Sequence, residues 1–354
     1  MSIKIKVIGG GLAGVEAAYQ LLKAGFAVDM YEMRPVKMTP AHKTAGLGEL
    51  VCSNSLKSTE FSGAQGLLKA EMRLMNSLVL KVAEATKVPA GNALAVDREA
   101  FSKGLEEELR SFSSFNLIKE ECTEITDYTI VATGPLTSEA MCEKIAELHG
   151  GEYLHFYDAV APIVTKESID MDRAFFQSRY DKGEADYLNC YMNKEEYDNF
   201  VTELVSADRV ILKKFEKGDI FEGCMPVEVM AGRGHEALRF GPLKPVGLGR
   251  HLPERPYAIV QLRMEDNYDS LYNLVGFQTN LTFKEQKRVF GLIPALKNAE
   301  FVRYGVMHRN TYMNSPKLLT EHYSLKTNGA IFFAGQMTGV EGYMESAMSG
   351  LIAL

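Results

Sequence analysis

The spacing of apolar positions changes period along the chain, and each change marks an element. Ile3 to Ile8 reads as a buried strand, Gly9 to Gly14 as a tight turn, Val15 to Ala24 as a helix and Ala27 to Glu32 as a second strand. Periodicity fades from Pro35 to Ser62, where Gly, Ser, Thr and Asn crowd together as in a long functional loop. Amphipathic helices are predicted over Gly66 to Ala85, Arg98 to Phe112 and Thr137 to His149, with a short apolar strand, Tyr128 to Gly134, before the last. From Tyr153 to about Lys326 the pattern turns to short strands divided by Gly and Pro, with helical stretches at Lys194 to Leu204 and Phe283 to Phe290. An apolar strand returns at Ala330 to Ala334, and a Gly-rich turn leads into a helix from about Tyr343. The predicted class is α/β: a nucleotide-binding domain over 1–155, a mixed α/β insertion over 156–325, and a return segment over 326–354.

Composition narrows the function. The chain has 354 residues, 46% of them hydrophobic, enough for one large or two ordinary cores. Its apolar runs fall far short of the roughly 20 residues that span a bilayer, and Met1 to Lys6 is too polar and short for a signal peptide, so a cytoplasmic protein without a membrane partner is expected. A net charge of -7 argues against non-specific coating of nucleic acid, which rests on many Lys and Arg contacts to phosphate. Charge is uneven, however. Gly232 to Pro256 carries Arg233, Arg239, Lys244, Arg250 and Arg255 against Glu236 and Glu254, either a face for an anionic ligand or a solvated loop. Cys52, Cys122, Cys142, Cys190 and Cys224 are scattered without a CxxC pair, and the histidines show neither HxxxH nor HExxH spacing; no disulfide framework and no metal are expected.

The first turn carries the clearest chemistry. Gly9, Gly11 and Gly14 form GxGxxG between a strand and a helix, and Gly10, Leu12 and Ala13 complete the turn. The first glycine permits the turn, the second lets backbone approach a pyrophosphate, and the third lets helix pack on strand. The helix N-terminus then offers N–H groups and the positive end of its dipole to the diphosphate. Glu32, at the end of the second strand, is placed to accept hydrogen bonds from ribose hydroxyls. This motif leaves FAD and NAD open. Ile130 to Gly134, ending in Ala-Thr-Gly with Thr133 and Gly134, and the FAGQ turn of Phe333 to Gln336, with Gly335, resemble paired elements of two-dinucleotide-fold flavoproteins and favour FAD. The expected fold is a Rossmann-like, glutathione-reductase-like FAD domain split by the insertion.

Longer stretches extend the resemblance. GELVCSNSLKS at Gly48 to Ser58, ADYLNCYMNKEEY at Ala185 to Tyr197, FEGCMPVEVMA at Phe221 to Ala231, LRFGPLKPVGL at Leu238 to Leu248 and FAGQMTGVEGYMESA at Phe333 to Ala347 are similar to the folate- and FAD-dependent tRNA uracil-5-methyltransferases of the TrmFO type. That resemblance implies 5,10-methylenetetrahydrofolate as carbon donor, FAD carrying the methylene group, NADH or NADPH as reductant, and 5-methyluridine in the T-loop of tRNA as product. The GidA-type wobble-uridine enzymes share the turn and the segments seen here at His308 to Tyr312 and Gly339 to Tyr343, while the FEGCMP stretch points to the methyltransferase. Family members continue for several dozen residues past the position of Leu354, which keeps a catalytically silent FAD- or RNA-binding fragment as an alternative, and a close relative methylates ribosomal RNA instead.

Residue roles follow from the same resemblance. Uracil C5 becomes nucleophilic only after something adds at C6, and a thiolate suits that step. The resemblance places this nucleophile at Cys224 and a second functional cysteine at Cys52, which takes the C5 proton or guards the methylene. Cys122, Cys142 and Cys190 are expected to be inert thiols. His308 is the expected stacking partner of the folate pterin. Gly342 and Tyr343 join the flavin end of the site, and Lys57, Arg239 and Lys244 are candidate phosphate or folate-tail contacts. Neither the oligomeric state nor the choice between NADH and NADPH is legible.

Overall fold

The computed structural model describes residues 3–39, 41–149, 154–159, 161–181, 184–210 and 225–353, and of 149, 154–159 and 307–311 the backbone alone. The first three elements form where the pattern places them: β1 (Lys4–Ile8), α1 (Leu12–Lys23) and β2 (Ala27–Tyr31). The helix starts three residues before the predicted Val15, because Gly11 is its extended N-cap residue and the turn is correspondingly tighter. β1 lies between β2 and Thr129–Val131, parallel to both. Asn328–Phe333 extends the sheet in parallel beyond Thr129–Val131, and Phe115–Ile118 does so beyond β2. Ser324–Leu325 closes one edge in the antiparallel sense, which completes six strands. Val7, Val28 and Ile130 of this sheet share a core with Val15, Ala18 and Leu22 of α1 and with Met344, Ala347 and Leu351 of the helix Tyr343–Ile352.

A second six-stranded sheet is antiparallel throughout, in the order Ala174–Phe176, Tyr187–Met192, Ala258–Met264, Leu271–Leu274, Ile163–Thr165, Phe301–Arg303. Its core gathers Leu188, Val260, Leu262 and Tyr272 under Tyr197 and Phe200 of the helix Lys194–Ser206, which opens on an Asn193–Glu196 capping box. Where the chain passes between the two cores its strands pair: Leu154–Ala159 runs antiparallel to Met307–Tyr312. The chain thus passes between the two cores on one two-stranded crossing.

Two local expectations change. The predicted helix from Gly66 to Ala85 is two helices, α2 (Ala64–Leu74) and α3 (Leu78–Ala85), because Asn76 turns left-handed at φ 57° and Ser77 caps the second. The loop from Pro35 to Ser62 contains a strand, Ser55–Ser58, paired with Ala93–Val96, which also pairs with Lys87–Val88. Asp97 then caps α4 (Arg98–Arg110) by accepting from the backbone N–H of Glu99 and Ala100. Among the described residues no helix is long and apolar enough to cross a membrane.

Candidate functional site

A cleft with an empty volume of about 1010 Å³ opens where the first turn meets the late strand of the parallel sheet. Gly9 to Ala13, Glu32, Thr133, Gly134, Gly335, Gln336 and Tyr343 all line it, so residues separated by more than three hundred positions meet at one surface. Gly14 and Gly342 do not line it. Gly14 serves packing instead: a Cβ there would collide with the Gly9 carbonyl, as a Cβ on Gly9, at φ +111°, would collide with the carbonyl of Ala132. Gly11 is different in kind. A Cβ built on it meets nothing within 4 Å, so the backbone presents open space to the cleft at the start of α1. No side chain caps that helix start, which leaves its first N–H groups available to an anion.

Glu32 anchors the other wall. Its Oε2 accepts from Gly10 N–H at 3.0 Å, and its Oε1 accepts from the backbone N–H and the Nε–H of Arg34 at 3.0 and 2.8 Å. Burial alone would raise this carboxyl, but the Arg34 guanidinium and the two backbone donors outweigh it and hold it below the usual carboxylate range. Arg34 is buried as well and reaches Glu49 at 2.9 Å. The expected ribose acceptor is thus already committed to three donors, and any sugar hydroxyl would meet a carboxylate with its geometry fixed.

Tyr343 leads from the cleft to Cys52. Tyr343 accepts from the backbone N–H of Cys52 at 2.8 Å and of Ser53 at 3.3 Å, and its hydroxyl oxygen stands 2.9 Å from the Cys52 sulfur. A hydroxyl has two lone pairs and one proton. With both lone pairs taken by N–H donors, the proton is what remains for the sulfur. Burial first, and the neighbouring Cys52 second, push the Tyr343 hydroxyl well above the ordinary tyrosine value, so it keeps that proton to donate.

The remaining expectations fall in several places. Cys224 lies outside the described residues. His308 belongs to the crossing strand Met307–Tyr312, opposite Asp158, with its backbone alone described. Cys190 is buried, and desolvation pushes its thiol up. Cys122, read from sequence as an inert thiol, lines the cleft half-buried, because the chain after Phe115–Ile118 runs along the rim. Arg239 stacks 3.6 Å over the Tyr257 ring, donates to the Tyr257 carbonyl and pairs with Glu236, a set of local bonds that gives it a bracing role. Lys57 stands 3.5 Å from Glu345 and half exposed. Lys244 is half-buried, and its carbonyl accepts from Arg179. Sequence reading missed Arg34, Glu49, Arg98, Arg263 and Arg303. Arg98, Arg263 and Arg303 are buried or half-buried against partners far along the chain, which no spacing rule reports, whereas Arg34 and Glu49 pair within one loop. Among the described residues no group of three His, Cys, Asp or Glu side chains is placed to hold a metal ion.

Comparison with known proteins gives the family and the fold. The family model described as glucose inhibited division protein A, GidA, matches residues 4–353. The chain is 58% identical over 356 residues to a protein of Lactobacillus helveticus named methylenetetrahydrofolate–tRNA-(uracil-5-)-methyltransferase TrmFO, covering 100% of this chain and 88% of that one. It is 59% identical to the protein of the same name from Natranaerobius thermophilus, covering 99% of this chain and 82% of that one. Among solved structures, GidA of Aquifex aeolicus superposes with a TM-score of 0.73 at 15% identity over 99% of this chain, which spans 62% of the length of that one and shares its fold. With a family model matched nearly end to end and relatives close to 60% identical over the whole sequence, the chain belongs to the GidA family and stands within it beside the proteins named TrmFO.

Proposed function

We propose that this protein binds FAD in the cleft and methylates uridine C5 in the T-loop of tRNA, with methylenetetrahydrofolate as carbon donor and NADH or NADPH as reductant. The observation that carries the FAD site is the open space in front of Gly11, bounded by the uncapped start of α1 and the braced Glu32 carboxylate. Those features fit a diphosphate and a ribose: N–H groups for the anion, a carboxylate for the sugar, and no side chain in the way. The activity is drawn from the relatives' names. FAD, when bound, supplies the redox and one-carbon chemistry that ends in a methyl group.

The chain's own residues have separable tasks in this reading. Cys224 adds its thiolate to uridine C6, which pushes the electron pair toward C5 and makes that carbon nucleophilic. After C5 has gained its new carbon, the C5 proton leaves and the C6–S bond breaks by elimination, returning the thiolate. Cys52, beside Tyr343 at the edge of the cleft, accepts the C5 proton or shields the one-carbon unit. His308, on the crossing strand between the two cores, is the candidate platform for the pterin.

The cofactor claim has a direct test. The purified protein is expected to be yellow, or to turn yellow with added FAD, and Gly11→Val is expected to weaken FAD binding at least a hundredfold by filling the space the diphosphate needs. Binding is read by flavin absorbance after gel filtration. Wild-type protein that stays colourless with excess FAD, or a Gly11→Val variant that binds as tightly, would remove the basis of the reading.

A further inference from the structure

The loop that carries Cys52 is gripped by three guanidinium groups, none of which the sequence singled out. Arg98, at the start of α4, donates to the Leu50 carbonyl through one terminal nitrogen, and its Nε is paired with Glu265 at 2.7 Å. Arg303, at the end of Phe301–Arg303, donates to the Val51 carbonyl at 2.8 Å and to that of Ala41 at 3.3 Å. Arg263, on Ala258–Met264 and 7% exposed, donates to Ser53 Oγ at 2.6 Å and Asn54 Oδ1 at 3.0 Å. Fully buried Asn54 passes the load on, since its amide donates to the carbonyls of Val96 and Met264. Residues 50, 51, 53 and 54 are each held, and the one between them is Cys52.

This arrangement does more than fasten a loop. Two of the three arginines belong to the second sheet, yet the loop they hold belongs to the cleft of the first. Three carbonyls and two side-chain oxygens would be satisfied as well by neutral donors, whereas burying a guanidinium is expensive unless its charge has a use. Glu265 offsets the charge of Arg98, and burial works against that of Arg263 and Arg303, which nonetheless stay protonated as guanidiniums do. The charged and titratable groups along the 50–54 loop are therefore Arg98 from α4, which acts electrostatically on Cys52, Arg263 and Arg303 from the second sheet, which hold its neighbours, Glu265 paired with Arg98, Tyr343 from the last helix against the sulfur, and Glu49 on the same loop, already paired with Arg34.

We propose that Arg98, Arg263 and Arg303 are positioning residues that lock the 50–54 loop to the second sheet and line it with positive charge on both sides of Cys52, so that its sulfur works as a thiolate. Cationic neighbours favour the charged form of a thiol, and the Tyr343 proton donated to the sulfur acts in the same direction. No oxidant or further reactant is involved; the thiol proton passes to solvent. The inference rests on the reading of Cys52 as a functional residue, but it predicts a property of the thiol that is measured without any turnover.

The test is the pH dependence of Cys52 alkylation by iodoacetamide in the full chain, followed peptide by peptide by mass spectrometry so that the other cysteines do not interfere. Wild-type Cys52 should react with a midpoint below the value of about 8.5 of an ordinary thiol. Arg303→Gln keeps a donor for the Val51 carbonyl and removes the charge; its midpoint should rise by about one pH unit, slowing alkylation at neutral pH about tenfold, and Arg303→Lys should restore most of the loss. A merely structural role would give equal defects in the two variants. A wild-type midpoint at or above 8.5 overturns the proposal even if no variant folds, and so does an unchanged profile in Arg303→Gln. Methylation that persists in Cys52→Ala would instead defeat the functional reading of Cys52 while leaving the measured thiolate in place.

Discussion

At the scale of single residues, the site is built from charges whose partners are fixed before any ligand arrives. Glu32 is the clearest case. Its folded pKa is depressed relative to the unfolded chain, so its contribution to stability is fully present above the unfolded carboxylate value and is lost as pH falls through the lower folded value. Glu32→Gln is expected to lower stability at pH 7 by about 2–4 kcal/mol, since Arg34 would be left buried with Glu49 as its remaining carboxylate. In urea unfolding the gap between wild type and variant should narrow as pH falls below the ordinary glutamate value of about 4.3, where the unfolded-state carboxylate takes up a proton that the folded one still resists. A gap that is absent at pH 7, or that widens in acid, would show that the ion pair is not what braces this wall. Gly9, Gly11, Gly14 and Glu32 were legible because their geometry is local to one strand, turn and helix. Arg98, Arg263 and Arg303 were not, because what gives them meaning is an oxygen brought near by the rest of the fold.

At the scale of elements, the packing of α1 depends on a residue that looks misplaced. Glu16 is fully buried on the helix that follows the glycine turn. Its carboxylate accepts from Ser77 Oγ at 2.7 Å and from the backbone N–H of Leu78 and Val79 at 3.1 and 3.0 Å, while Ser77 Oγ accepts from Leu80 N–H. The first three donors of α3 are thus satisfied by one capping serine and one carboxylate from another helix. Glu16→Ala is expected to cost about 2–4 kcal/mol by orphaning buried donors, measured by urea unfolding, and to open α3 to amide hydrogen exchange before the rest of the domain. Uniform exchange across α1 and α3 in the variant would contradict the assignment. The break before α3 escaped the sequence reading because apolar spacing runs through it undisturbed, and the left-handed Asn76 is set by the need to bring Ser77 over Glu16. The short strands at 87–96 were missed for a related reason: with two to four residues each, they carry too little alternation to register.

At the scale of the whole molecule, a parallel sheet supplies the cleft and an antiparallel sheet supplies the arms that reach into it. The chain crosses between them on Leu154–Ala159 and Met307–Tyr312, and the Cys52 loop is held from both sides. Patterning turns to short strands near Tyr153 and an apolar strand returns near Ala330, and the strands of the antiparallel sheet lie between those positions. What patterning did not carry was the contact between the two sheets. That contact places the Cys52 loop against the same cleft that the glycine turn opens. The measurement that tests this account most directly is methyl transfer itself. The FAD-loaded protein is incubated with isotope-labelled methylenetetrahydrofolate, NADH or NADPH, and an unmodified tRNA transcript, with a ribosomal RNA transcript in parallel. The account predicts label in 5-methyluridine of the tRNA T-loop, dependent on FAD and lost in Cys224→Ala; a folded, yellow protein that leaves the tRNA unlabelled would contradict it.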